Sequence, residues 1–561
     1  MCGFLVEAGN ILNSDYTFNT IRHRGPDYSA HKIITLNNNS CIIFSHVLLS
    51  ITGDKTFCKQ PFTKNSRYTI VYNGELYNHS ELRIALSNRG HTFESDGDTE
   101  VFLTAYIEWG VAFLQFANGI FSAIIFDNTD NTIIACRDRF GVKPLFYTSQ
   151  SDHLAFFSEI KQAASSKKNG AQINTEPCHH FFRSGDLQED TTTLFRDIHQ
   201  VGAGHYLHAT LEAGGRIQCR MVRWHDDADN CQPSSTVDLY TRLLTAVDEQ
   251  TSTNESIAIC ISGGLDSAIL AVLYNRVLQK KNATLFGIGY PSSSLDETAF
   301  QKSLAAHTKL PYENISLNYD EIFNKIDNVI SSNDSPVGGF GAIAQWLMYR
   351  RISQTGIRIA IEGQGADELF CGYSHHIRQI NEHYKRLKTV ISKDSIWHNP
   401  GAPILAASGT IPAMPDLKTR CKAPLPALLR LCDRNGMAHG IEVRVPYLAT
   451  GVIEAATRMP GFRKICGAIG KMPLRTTFSH VLPLSIRARR DKVGFLAPDL
   501  EIIDGKREQH MLQYIKNRDD ACRYFCDIPP DHIEQLPMRK IHLLRAYSLL
   551  RWSELIAGLT L

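Results

Sequence analysis

The run Ser256-Ile257-Ala258-Ile259-Cys260-Ile261, followed at once by Ser262-Gly263-Gly264-Leu265-Asp266-Ser267, decides the fold of the larger part of this chain. A short apolar run without alternation reads as a strand covered on both faces, as in a parallel sheet. The two glycines read as a tight turn, and Ser267 to Leu278 as the helix behind it. A glycine turn between such a strand and helix is where an open α/β sheet receives a nucleotide phosphate. Gly263 and Gly264 let the backbone come close to the anion. The following amides point outward from a helix N-terminus, whose partial positive charge favours phosphate. Ser262 and Ser267 add hydroxyl donors. The Gly-Lys-Ser/Thr ending of the common phosphate loop is missing, so cleavage of the β–γ bond is not implied. Asp266 is informative because an acid beside a phosphate is repulsive unless a cation lies between them. The reading is therefore a nucleotide phosphate with Mg²⁺; the competing reading is a helix-capping turn with a solvated Asp266.

Working outward, Leu285 to Tyr290 and Ile357 to Ile361 repeat the buried-strand pattern, with helices between. That alternation implies an α/β, doubly wound parallel sheet. After its third strand comes a second glycine loop with acids, Glu362-Gly363-Gln364-Gly365-Ala366-Asp367-Glu368, so that Asp266 and Asp367 form a candidate pair for one Mg²⁺. The rest of the chain reads as mostly helical and ends in an amphipathic helix over Ile541 to Leu561. Before the sheet, Thr236 to Gln250 reads as a helix. The first part differs. Cys41–Phe44, Tyr68–Tyr72, Ile120–Phe126 and Thr132–Cys136 are short β-rich runs, Ser80–Arg89 and Thr99–Trp109 read as helices, and a last hairpin begins near Gly202. Strand layers with helices outside make an α+β sandwich. The polar stretch His225 to Ser235 reads as the linker, which gives domains at 1–225 and 236–561.

At 561 residues, 43% apolar and 21% charged, with a formal net charge of +2, the chain is too long for one core and carries no basic block for nucleic acid. No stretch has the ~20 uninterrupted apolar residues of a membrane span. The 14 cysteines show no CxxC pair or zinc spacing and read as free thiols. One stands apart. Cys2 follows Met1, and a penultimate residue so small permits removal of Met1. Its thiol would then sit beside a free α-amine, a base with a pKa of about 7.7–8.0 that can relay the proton of a nucleophile next door. With no signal-peptide pattern at the N-terminus, a cytoplasmic location is expected.

Further motifs carry a resemblance. Met1-Cys2-Gly3, Arg22-His23-Arg24-Gly25-Pro26-Asp27, Asn73-Gly74-Glu75-Leu76-Tyr77-Asn78, Gly97-Asp98-Thr99-Glu100 and Arg137-Asp138-Arg139-Phe140-Gly141 occupy the first half. The two glycine loops, Glu442-Val443-Arg444-Val445-Pro446-Tyr447-Leu448, Gly470-Lys471 and Lys492-Val493-Gly494-Phe495 occupy the second. In this order they resemble the glutamine-dependent asparagine synthetases over nearly the whole chain.

The resemblance implies a four-layer N-terminal-nucleophile sandwich joined to an ATP-pyrophosphatase-type sheet, sometimes as a homodimer. Cys2 would attack the glutamine side-chain amide, Asn73 and the Gly74 amide would hold the oxyanion, and Glu75 and Asp98 would hold the α-amine end. In the second domain ATP would adenylate a carboxylate, and ammonia arriving by an interdomain tunnel would displace AMP. Ile261, Ile288, Glu362 and Gly363 match nucleotide contacts, Leu265 belongs to the matched phosphate loop, and Lys471 matches a lysine that offsets phosphate charge. The Arg22–Asp27 run, Asp138 and Arg139 read as scaffold, Glu442 and Arg444 as a buried pair shaping the C-terminal lobe, and His375-His376 as surface residues. The Gly-rich stretch Ser335 to Gly341 is a candidate frame for the acceptor.

Two positions depart. Leu48 stands where the family has the arginine that grips the glutamine α-carboxylate, which leaves Arg22, Arg24 or Arg67 as substitutes or predicts weak glutamine binding. Gln364 stands where asparagine synthetases carry a glutamate that manages the ammonia proton, and an amide takes no proton. The acceptor is then aspartate or another carboxylate, such as a sugar acid or a secondary metabolite. Rival readings are a ligase closing an internal amide, as in β-lactam synthetases, and an inactive scaffold. The retained Cys2, Asn73, Gly74 and Asp98 speak against the first, and the intact phosphate loop with Lys471 against the second.

Overall fold

A computed structural model of the chain describes residues 2–9, 16–36, 40–51, 59–164, 172–187, 191–225, 238–291, 293–382, 424–490, 497–556 and 558. Met1, most of the linker stretch, and the Lys492–Phe495 motif lie outside them.

Two six-stranded antiparallel sheets build the N-terminal part. One runs, edge to edge, His199–Gln200, Phe146–Ser149, His153–Phe157, Cys2–Gly9, Cys41–Leu48 and Tyr28–Thr35. The other runs Ile217–Arg223, His205–Leu211, Thr132–Arg137, Gly119–Asp127, Tyr68–Leu76 and Phe62–Lys64. Alternation along the strands sorts the side chains. Phe4, Val6, Ile42 and Phe44 meet Val71, Ile124 and Phe126 between the sheets, each such burial being worth roughly 1.5–3 kcal/mol. Tyr72 and Phe121 face outward, packed with Leu82 of helix His79–Ser87 and Phe102 of helix Asp98–Trp109. On the other outer face Leu5 and Phe157 lie with Phe181 and Phe182 of helix Thr175–Ser184. The result is the expected four-layer sandwich.

Beyond it lies a five-stranded, fully parallel sheet in the order Tyr312–Ser316, Ala283–Gly289, Ile257–Ile261, Ile359–Ile361, Glu442–Arg444. Ile257, Ile259 and Ile261 enter one apolar layer while Ala258 and Cys260 enter the other. This two-sided cover is why the deciding run shows no polar alternation. The helix after the glycine turn is Leu265–Val272, continued by a π turn over Leu273–Val277. The edge strand Glu442–Arg444 is too short and too charged for the apolar-run criterion, and its place beside Ile359–Ile361 is set by pairing alone.

The domains share packing. The cluster under the first sandwich sheet continues into Phe340, Ile343 and Trp552 of the second domain. Gly338 belongs to this seam, since a Cβ there would fall 2.2 Å from the Gly185 carbonyl oxygen, and Val337 N–H donates to Ser548 at 2.5 Å. The Ser335–Gly341 stretch therefore docks the N-terminal domain and the C-terminal helix Arg539–Leu555. A correction concerns the histidine pair: His375 is exposed but His376 is buried, because the helix over 374–382 turns it inward. Among the described residues no helix is long and apolar enough to cross a membrane.

Candidate active site

Cys2 opens the first strand and sits directly across from Leu48 in the antiparallel register. Its backbone N–H donates to Asn73 Oδ1 at 3.0 Å. That bond fixes which way the Asn73 amide faces. Its Nδ2 is buried and meets no acceptor among the described residues. An orphaned buried donor costs about 1–3 kcal/mol, and here it faces the neighbourhood of the nucleophile. Gly74 follows on the same strand, where a Cβ would lie 2.1 Å from the Ile120 carbonyl oxygen, so only glycine fits. Burial pushes the Cys2 thiol up to about 11, against the pull of the chain's amino-terminal charge and of a hydrogen bond from the Leu49 amide. Such a thiol needs a base to become a nucleophile, the part the sequence assigns to its own α-amine.

The Arg22–Asp27 run is a clamp. Arg24 is fully buried; its Nε donates to the Cys2 carbonyl at 3.1 Å and its fork grips Glu159 and Asp433, each at 2.9 Å. Asp27 accepts from the Ser50 amide and pairs with Arg358 at 2.6 Å. Asp138 gathers the amides of Phe121, Phe140, Val142 and Lys143. These geometries correct the list of substitutes for the missing arginine. Arg24 is spent on two carboxylates, and Arg67 pairs with Asp127 and Asp130 at the far end of the strand from Asn73. Arg22 keeps an exposed side chain with Nε on Asn19. Leu48 itself is buried.

Asp98 accepts from the Leu76 amide at 3.0 Å, and burial raises its pKa. Burial, then the nearby Glu442, pushes Glu75 up to about 8 against the opposing Arg444. The Glu442–Arg444 pair is buried, as read from the sequence, at 2.5 Å. Its reach goes further than that reading. Arg444 Nη2 stands 3.4 Å from Glu75 Oε1 in the other domain, and its carbonyl accepts the Glu362 N–H at 3.0 Å.

Beside this contact lies a narrow interdomain cavity of about 20 Å³, lined by Tyr77, Ile120 and Val142 from one side and Gln250, Val445 and Leu448 from the other. Tyr77 Oη and Gln250 Oε1 are buried without a protein partner among the described residues. The volume suits one molecule the size of water.

The second centre lies at the carboxyl ends of the parallel strands. Gly263 has a φ of +76°, and a Cβ on it would meet Phe300 Cβ at 2.8 Å. Ser262 Oγ accepts from the Gly264 amide and Ser267 Oγ from the Ser262 amide, each at 3.3 Å. Arg489 donates to the Gly263 carbonyl and pairs with Glu297 at 2.6 Å. Leu265 is buried as the first residue of the helix, and Ile261 and Ile288 end adjacent strands. Gly363 presses on the phosphate loop, where a Cβ on it would lie 3.2 Å from Asp266 Cβ. Lys471 Nζ lies 2.5 Å from Asp266 and 2.7 Å from Asp367. Burial opposes its charge, but the two carboxylates outweigh it and raise its pKa. Two carboxylates converging on one point are hard oxygen donors that fit Mg²⁺. Glu362 departs from its expected place. Its carboxylate turns into the core, where Tyr349, Cys432, Gln345 and Gln364 donate to it.

Sequence reasoning missed Arg444's reach, Tyr77, Gln250 and the ring around Glu362. Arg444 had a signal in the Glu442–Leu448 motif and Tyr77 in the Asn73–Asn78 motif; the other two had none.

A family model described as a glutamine amidotransferase domain matches residues 1–220, and one described as asparagine synthase matches residues 238–536. Asparagine synthetase [glutamine-hydrolyzing] 3 of Bacillus subtilis is 26% identical over 85% of this chain and 83% of its own length. Asparagine synthetase [glutamine-hydrolyzing] 2 of the same organism is 30% identical over 67% of this chain and 52% of its own. A protein named amidase chyE, of Penicillium rubens, is 24% identical over 64% of this chain and 54% of its own. A thiol with an oriented amide donor in one domain, and a phosphate loop with convergent carboxylates in the other, agree with both matches: the chain belongs to the asparagine synthase family, as an ATP-dependent, glutamine-hydrolysing ligase.

Proposed function

We propose that this chain adenylates a carboxylate with ATP, releasing pyrophosphate, and amidates it with ammonia from glutamine, releasing AMP, with aspartate as the foremost acceptor. Cys2 Sγ attacks the glutamine amide carbon while the Cys2 α-amine takes the thiol proton and returns it to the departing ammonia. Asn73 Nδ2 and the Gly74 amide hold the oxyanion; one such donor is worth roughly 2.7–4 kcal/mol. Water then releases glutamate. In the second domain an acceptor oxygen attacks the α-phosphorus, with Lys471 offsetting charge on the phosphates. Asp266 and Asp367 would hold Mg²⁺, which supplies positive charge to the phosphate oxygens.

The observation that carries this reading is the pairing in one chain of a buried Cys2 held on Asn73 with a glycine loop on which Asp266, Asp367 and Lys471 converge. Ammonia in bulk water at neutral pH is mostly ammonium, which is no nucleophile. A route within the protein would keep it neutral, and the interdomain cavity lined by Ile120, Val142, Val445 and Leu448 together with Asp138, Arg139 and Gln250 lies at the seam such a route would cross. Leu448 also touches Gly365, beside Gln364.

The test measures glutamate, pyrophosphate and amide with glutamine or ammonia as the nitrogen source. Cys2→Ala is expected to lose glutamine-dependent amide and keep ammonia-dependent amide. Asp367→Asn is expected to lose pyrophosphate release with either source. Repeated turnover without any nitrogen source, giving a product lighter than its acceptor by one water, would instead support internal ring closure, and no pyrophosphate with any acceptor would support an inactive scaffold.

A second reading concerns the acceptor. Gln364 departs from the asparagine synthetase pattern, and relatives include proteins named amidases. Offering aspartate among other carboxylates and weighing the products separates a non-aspartate acceptor from aspartate.

A further inference from the structure

Gln364 lies between two glycines that each touch one of the two halves of the reaction. Gly363 packs on the phosphate loop, 3.2 Å from Asp266 Cβ by its Cβ direction, and Gly365, with φ of +92°, packs on Leu448 of the cavity wall. Gln364 therefore stands between the phosphate loop and Leu448, one of the residues lining the interdomain cavity. Its own amide is not free to turn. Nε2 donates to Glu362 Oε2 at 3.2 Å. A carboxylate accepts hydrogen bonds and offers none, so the orientation has only one solution.

Glu362 is in turn held. Tyr349 Oη donates to its Oε1 at 2.5 Å, Cys432 Sγ to its Oε2 at 3.0 Å, and Gln345 Nε2 reaches both oxygens at 3.3 and 3.4 Å. The anchor is buried and the anchored residue is half-buried, so the Gln364 carbonyl is the end left for the site.

We propose that Glu362 is a positioning residue that locks Gln364 with its Oε1 toward the synthetase site, where that oxygen accepts an N–H of the incoming amine and orients its lone pair at the activated acyl carbon. This deepens the proposed function and rests on it for the amine. Gln364 orients without deprotonating. The Glu362–Gln364 pair thus places a carboxylate and an amide two residues apart, with the carboxylate in the buried position and the amide in the forward one.

The test is a four-member cycle of the full-length protein: parent, Gln364→Glu, Glu362→Gln, and the double variant that exchanges the two side chains. The first readout needs no turnover. Gln364→Glu sets two carboxylates at hydrogen-bond distance, so one retains its proton well above the usual range. A carboxyl whose folded pKa is raised gives stability at low pH that is lost as pH rises through that pKa. The melting temperature of Gln364→Glu is therefore expected to fall away from the parent between pH 5 and 8, and the double variant to recover the parent profile. The second readout is ammonia-dependent pyrophosphate release. Glu362→Gln is expected to lose about tenfold or more in kcat, since the amide then turns freely, and the double variant to regain most of it by restoring a donor–acceptor pair.

A melting profile of Gln364→Glu parallel to the parent's, or a double variant no better than Glu362→Gln in either readout, would overturn the proposal. A parent that releases no pyrophosphate with any acceptor, while the melting cycle behaves as expected, would sink the proposed function and leave the lock standing. If Glu362→Gln melts at the parent's temperature and turns over at the parent's rate, the lock does not position the amine.

Discussion

Arg444, on the edge strand of the parallel sheet, stands 3.4 Å from Glu75, on the strand of the other domain that carries Asn73 and Gly74. The same residue is the point of attachment for the second site, since its carbonyl accepts the Glu362 N–H. One buried residue thus touches the substrate-binding strand of the glutaminase and the glycine loop of the synthetase. Its Nη1 also donates to the Gln250 carbonyl at 2.8 Å, beside the cavity wall.

Replacing Arg444 with lysine keeps a charge but loses the planar fork that serves Glu442, Glu75 and Gln250 together. The expected outcome is leakage: glutamate formed per amide rises above its parent value, while ammonia-dependent synthesis changes less. Comparing the two product yields checks it, and an unchanged ratio would show that Arg444 is only a structural tie. Replacement by methionine is expected to unfold the seam, since removing one partner of a buried pair costs about 3–5 kcal/mol.

Asn73 gives a sharper test because its two side-chain atoms have separate duties. Oδ1 accepts from Cys2, and Nδ2 is the orphaned donor. Asn73→Ala is expected to reduce glutamine hydrolysis by about 10²–10³ in kcat, the loss usual for one oxyanion donor. Glutamine KM should move far less, and ammonia-dependent synthesis should persist. A fall confined to KM would place Asn73 in ground-state binding instead.

The parts of this site that can be read in the sequence are those where local chemistry and position agree. The Ser262–Ser267 loop follows a strand whose apolar run is itself a consequence of two-sided burial, so motif and fold point the same way. Cys2 is legible because its chemistry needs only the end of the chain. The seam is not legible. Glu442-Val443-Arg444 has the residues of an ion pair, but which carboxylate of which domain Arg444 meets depends on how two sheets dock. Glu362 misleads for a related reason: in a strand-end glycine loop it reads as a nucleotide contact, yet Tyr349 and Cys432, distant in sequence, draw it inward. The Ser335–Gly341 glycines signal close approach correctly. Sequence does not say that the approaching group is the Gly185 backbone and not a substrate.

Glu75 makes the pH dependence specific. Its carboxyl is pushed from the usual range to about 8, by burial first and Glu442 second. The unfolded chain ionises this group near pH ~4.3, so between there and about 8 the folded state holds the extra proton and stability falls as pH rises. Glu75→Gln removes this dependence. Its melting temperature relative to the parent is expected to climb from pH 5 to 8 and level off above. Glutamine's α-ammonium favours the ionised form, so the parent's glutamine KM is expected to fall as pH goes from 7 to 8.5. Melting curves at matched pH and a KM profile check the two halves, and a gap that shrinks as pH rises would reverse the sign assigned here.

Leu48 is the position where the chain parts most plainly from the glutamine-gripping pattern, and the structure says why a substitute is hard to find. It lies across the strand pair from Cys2 and is buried, at 5% exposure. Arg24, close by, is fully buried and committed to Glu159, Asp433 and the Cys2 carbonyl. On the proposed function, glutamine would meet Cys2 without the bidentate partner that an arginine at position 48 would give its α-carboxylate. Charge-assisted pairs of this kind are worth roughly 1.5–3 kcal/mol. Leu48→Arg is accordingly expected to lower glutamine KM by about tenfold or more, with kcat for hydrolysis nearly unchanged and ammonia-dependent synthesis untouched. Steady-state glutaminase kinetics decide it. A KM that stays where it was would mean that another cation already holds the α-carboxylate, with the exposed Arg22 the first to replace.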